Sequence, residues 1–140
     1  MFYNCQNLKY IDLSSFDTRN VKTMGSMFFG CYNLENINLS SIVTKNVTTL
    51  NRMFYDCVNL KSIDLSCFDT RNVASLYEMF FDCCHLKSID LSSFDIKKVT
   101  SIKNIFGNCQ ELEKIIVNKE SYDKFRGFCD TTINFSKFYV

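Results

Sequence analysis

The chain repeats itself every 26 residues, and few features constrain a fold more tightly. MFYNCQNLKYIDLSSFDTRNVKTMGS (1–26) is followed at once by MFFGCYNLENINLSSIVTKNVTTLNR (27–52). The pattern continues through 53–78 and 79–104 into a fifth unit that starts at 105. Met1, Met27, Met53 and Met79 share a column with Ile105 in fifth place, and Phe2, Phe28, Phe54, Phe80 and Phe106 share the next. Cys5, Cys31, Cys57, Cys83 and Cys109 form another, as do Leu8, Leu34, Leu60, Leu86 and Leu112. No insertion or deletion breaks the period. A fixed repeat of about 20–50 residues marks a solenoid, in which each unit stacks only on its neighbours.

Each unit reads in three parts. Ile11 and Leu13 alternate with Tyr10, Asp12 and Ser14, and a period of two argues a short strand with one buried face. Asp17-Thr18, repeated as Asp69-Thr70, supplies residue types that cap helix starts. Val21, Met24, Phe28 and Cys31 then follow at offsets 0, 3, 7 and 10, a stripe that predicts a helix. The column before each Cys holds Asn4, Gly30, Asp56, Asp82 and Asn108, residue types that tolerate a left-handed backbone and so end that helix. Parallel strands sit about 4.8 Å apart, whereas packed helices need about 8–10 Å. The mismatch predicts a curved stack of α/β class, a horseshoe with a parallel β-sheet on the concave side and short helices on the convex side. Five strands should begin near Leu8, Leu34, Leu60, Leu86 and Leu112.

Composition narrows the function classes. At 140 residues the chain fits one domain. With 16 Lys and Arg against 15 Asp and Glu, it lacks a field suited to nucleic acid or an anionic membrane. No apolar run approaches the roughly 18 residues of a membrane span. MFYNCQNLKY has neither the basic start nor the apolar core of a signal peptide, so none is read in this chain.

Side chains with chemistry are placed by the period, which works against catalytic clusters. The cysteine columns run parallel and do not converge as a metal site requires; each is read as a free core thiol, small and apolar with a weak donor. Cys83-Cys84-His85 looks like a ligand cluster, yet adjacent residues diverge, and no third group orients His85 for a Cys–His pair. No metal, cofactor or catalytic residue is therefore expected. Asp12, Asn38, Asp64 and Asp90 form an exposed ladder. Asp64 and Asp90, one strand apart, would form a like-charge pair that raises one pKa or attracts a cation, unless Lys9, Lys61 and Lys87 neutralise them. A solvated face, a partner contact and a bound ion all fit the ladder.

Leu-x-x-Ile-Asp-Leu-Ser-x-Phe-Asp-Thr, followed by Asn-Val-x-x-Met-x-x-Met-Phe-x-x-Cys, resembles the 26-residue type of BspA-like leucine-rich repeat. On that resemblance the leucine-rich repeats span 1–114, and 115–140 is a degenerate last repeat and carboxy-terminal cap. The resemblance implies a leucine-rich-repeat solenoid, displayed on a cell surface or secreted, that serves adhesion. The expected function is a non-catalytic protein–protein interaction module that binds a host or partner protein through its concave sheet. The alternative is a spacer segment whose ligand site lies in other repeats. The face would carry Tyr10, Asp12, Ser14, Asn36, Asn38, Ser40, Ser62, Asp64, Ser66, Ser88, Asp90 and Ser92. Phe2, Leu8 and Ile11 would leave an apolar edge open to self-association at the uncapped first unit, and Ile133 and Phe135 would cover the last.

Overall fold

The computed structural model describes residues 1–128 and 138–140. Main-chain hydrogen bonds join each unit to the next at a constant offset. Met24, Ser26, Phe28 and Gly30 donate their N–H groups to Thr49, Asn51, Met53 and Tyr55 carbonyls at 2.8–3.2 Å. Leu50, Arg52, Phe54 and Asp56 repeat the set onto Ser75, Tyr77, Met79 and Phe81. Leu76, Glu78, Phe80 and Asp82 repeat it again onto Ser101, Lys103, Ile105 and Gly107. Parallel bridges at Thr23, Thr49, Ser75 and Ser101 mark the same register. Each unit is thus one rung, and one period advances the chain by one rung.

The helices expected over 21–31 do not form. Among the described residues the helix is α1, Lys119–Phe128. Residues 24–31 run instead as tight turns, closed by Met27 N–H to Met24 O, Phe29 to Ser26 and Cys31 to Phe28. Left-handed residues punctuate them: Ser26, Arg52, Glu78 and Asn104 in one column, and Asn4, Gly30, Asp56, Asp82 and Asn108 in the other. The second column is the one read from sequence as left-handed. The geometry explains the choice. N–H groups at 24, 26, 28 and 30 point at the next rung while those at 27, 29 and 31 fold back, whereas a helix would spend nearly all of them on itself. Spacing agrees, since Phe28–Phe54 and Phe54–Phe80 ring centroids lie 5.5 Å apart, too close for neighbouring helices. The stated cause of a horseshoe, wide helices against narrow strands, is therefore missing.

The strand reading is met unevenly. β1 (Ser88–Leu91) pairs in parallel with β2 (Lys114–Val117), Ser88 opposite Lys114 and Leu91 opposite Val117, a shift of one period. β3 (Phe138–Tyr139) adds to the far side of β2. In the earlier rungs the matching segment keeps its buried–exposed alternation but not a continuous ladder. Sparser bonds hold it, such as Asn59 N–H to Tyr32 O and Lys61 N–H to Glu35 O.

Between these two sides lies the core. Phe28, Phe54 and Phe80, with Cys31, Cys57, Cys83, Leu34, Leu60 and Leu86, are completely buried. Each full column of such side chains contributes about 1.5–3 kcal/mol per large residue. α1 closes the carboxy-terminal end. Asn118 caps it by accepting the Ser121 N–H (2.8 Å), and also donates to Ser92 O and Phe94 O of the last rungs. Lys124 Nζ reaches Ile96 O (2.7 Å) and Lys97 O (2.8 Å), and Phe125 is buried beneath. Ile133 and Phe135 lie outside the described residues.

Candidate functional site: an exposed grid on the repeat face

Where Leu13, Leu39, Leu65 and Leu91 turn inward, their neighbours must turn out. All twelve face residues inferred from the sequence are exposed: Tyr10, Asp12, Ser14, Asn36, Asn38, Ser40, Ser62, Asp64, Ser66, Ser88, Asp90 and Ser92. The stacked rungs bring them onto one face as three columns.

The Asp/Asn column has a local role that sequence reading missed. Asp12 Oδ1 accepts the Ser14 N–H at 2.8 Å, and Asn38 takes Ser40, Asp64 takes Ser66 and Asp90 takes Ser92 in the same way. Each side chain closes a turn at the end of its strand segment, the behaviour that favours these residue types there. Hydrogen bonds from Ser14 and Ser66 hold the Asp12 and Asp64 carboxyls below their ordinary range. Asp64 is thus not a raised member of a like-charge pair. Nor does Lys61 neutralise it, because Lys61 Nζ pairs with Glu35 at 2.7 Å. What remains outward is a row of carboxyl and amide groups flanked by serine hydroxyls.

Along one margin of the face runs a threonine clamp. Thr18 Oγ1 donates to Val43 O (3.1 Å) and accepts Val43 N–H (2.8 Å). Thr44 holds Asp69 and Thr70 holds Asp95 by the same two bonds. Thr18 and Thr70 were read with Asp17 and Asp69 as helix caps; their hydroxyls join rungs instead. Asp17 and Asp69 cap tight turns and bind the guanidinium of Arg19 and Arg71, which brings the Asp17 carboxyl down to about 2.

The turn side carries a second ladder that sequence reading did not single out, although its column is plain. Tyr3, Phe29, Tyr55 and Phe81 stack at 4.7, 4.7 and 5.0 Å. Arg52 lies 5.2 Å from the Tyr77 ring centroid and pairs with Glu78 at 2.8 Å.

From the second rung on, each core thiol of the column donates to the previous rung: Cys31 to Phe2 O (3.1 Å), Cys57 to Phe28 O, Cys83 to Phe54 O and Cys109 to Phe80 O. Burial pushes Cys31 up to about 11 and also raises Cys57 and Cys83 well above their ordinary range. At Cys83-Cys84-His85 the side chains part: Cys83 is buried, Cys84 half-buried, and exposed His85 Nδ1 sits 2.7 Å from Glu111.

Residues 1–119 match the family described as "Mycoplasma protein of unknown function, DUF285". The chain belongs to that family. In this DUF285 member the matched span covers the rungs and stops where α1 starts. No curated protein and no solved structure matches it. Among its described residues no helix is long and apolar enough to cross a membrane.

Proposed function

We propose that this chain is a section of a leucine-rich-repeat solenoid, akin to the BspA-like surface proteins its repeat resembles, and a non-catalytic module that binds a protein partner at the cell surface. The binding surface is the exposed grid. One observation carries the reading: every grid side chain is solvent-facing, on segments whose alternate residues are locked in the core. Fixed turns hold the polar groups before a partner arrives, so little ordering entropy is lost on binding. Tyr10, 66% exposed, is the aromatic anchor such a surface uses.

The test is adhesion of the purified chain to cell monolayers and immobilised matrix proteins. Asn38→Arg with Ser62→Arg should abolish it, while Lys103→Glu, away from the grid, should leave it intact, all with unchanged melting temperature. Equal adhesion by both variants would reject the grid as the binding surface. Absence of adhesion by the parent chain as well would favour the spacer reading.

A further inference from the structure

Columns that are sealed in the middle rungs are half-open in the first. Phe2, Cys5, Leu8 and Val21 are each partly exposed, whereas Phe28, Cys31, Leu34 and Val47 in the same columns are fully buried. Phe2 stacks on Phe28 at 5.4 Å and meets Phe16 of its own rung edge-on at 6.1 Å, so among the described residues it has one stacked neighbour where Phe28, Phe54 and Phe80 have two.

The polar halves are open as well. Every later column cysteine donates to a carbonyl of the preceding rung, yet the Cys5 thiol has no acceptor among the described residues. Val43, Asp69 and Asp95 each have main-chain N–H and C=O clamped by a threonine of the preceding rung. Asp17 holds the equivalent place, and its main-chain N–H and C=O have no partner among the described residues. Thr49 O and Asn51 O receive N–H groups from the rung before; the matching Thr23 O and Gly25 O receive none there.

We propose that this end is a docking surface for one further rung of the same repeat, joined directly to residue 1. The half-interactions specify the occupant. It must offer a carbonyl to Cys5, a threonine hydroxyl to the Asp17 main chain, an aromatic ring to Phe2 and N–H groups to Thr23 and Gly25. This is the carboxy-terminal side of a rung like 27–52, and docking continues the rung–rung interface already present. A second folded copy does not supply that side, because α1 covers it: Asn118, Ser121 and Lys124 already occupy the Ser92, Phe94, Ile96 and Lys97 carbonyls.

The experiment places a copy of residues 27–52 directly before Met1, which preserves the period and sets the copied Thr44 against Asp17. Alkylation is followed at the Cys5 peptide by mass spectrometry, and amide exchange at Asp17. The expected result is that Cys5 slows to the rate of Cys31, the Asp17 amide becomes protected and the melting temperature rises. With Thr44→Val in the copied rung, Asp17 protection should vanish while Cys5 stays protected. A copy of residues 53–78 should act like the copy of 27–52. The proposal fails if both additions leave Cys5 and Asp17 unprotected, folded or not. It also fails if the unextended chain dimerises and thereby shields Cys5, since a second copy would then be the occupant.

Discussion

Thr44 stands in for a piece of main chain. Its hydroxyl both gives to and takes from the Asp69 peptide, so one buried atom satisfies two groups of the next rung. Thr44→Val keeps the shape and removes both bonds, leaving a donor and an acceptor without partners; about 1–3 kcal/mol should be lost in urea denaturation. Thr44→Ser should recover most of it. The thiols make a second residue-scale prediction. Cys31 rises from an ordinary 9.0 to about 11 in the folded chain, through burial first. Below pH 9 both folded and unfolded chains keep this proton, and above it the unfolded chain releases its proton first. Stability should therefore decline as pH rises from 9 through about 11, and the decline should be shallower in Cys31→Ala, as read from denaturation midpoints across that range. In native protein, exposed Cys67 should be alkylated before half-buried Cys84.

At the scale of the element, the run 21–31 shows why a helix was a reasonable reading and still wrong. Turns closed at 24–27 and 28–31 repeat every four residues and send Met24, Met27, Phe28 and Cys31 inward. That spacing imitates the stripe of a helix. The column at Asn4, Gly30, Asp56, Asp82 and Asn108 was legible because those residue types favour a left-handed backbone. Its companion was not, because Arg52 and Glu78 adopt positive φ only where neighbouring rungs hold them. Burial alternation along the face was legible in every rung, since it depends on side-chain pattern alone. The role of Asp12 and Asp64 in closing turns was hidden behind their charge. Gly30→Ala tests the left-handed column: φ is +70° there, and a new Cβ would press on the Asn4 side chain. A loss of about 1–2 kcal/mol in urea denaturation is expected from the backbone alone, and an unchanged midpoint would mean that this position is not left-handed.

For the whole molecule, stability is a chain of nearest-neighbour contacts. The ends then matter more than in a globular core. Lys124→Met keeps the stem of the side chain but withdraws two charged hydrogen bonds from Ile96 O and Lys97 O. Part of that contact is solvent-screened, so about 1–2 kcal/mol should be lost. Hydrogen exchange should report where: amides of β1 and β2 lose protection first, and those of Phe28 and Phe54 last. Uniform loss along the chain would mean that the rungs melt as one block.

The constant offset between rungs also governs how such a chain can change in length. The interfaces from Phe28 to Phe106 repeat the same ring stack and turn-side main-chain bonds, and the threonine clamp accompanies them until Ile96 takes the threonine's place at the last. Removing residues 53–78 would set Phe28 on Phe80 and give Thr44 the Asp95 peptide in place of Asp69. A deletion of a single residue, by contrast, displaces half of one rung from all its partners. Copy number is therefore the variable that recombination can alter while every remaining rung keeps a matched neighbour, and the grid lengthens or shortens in whole rows.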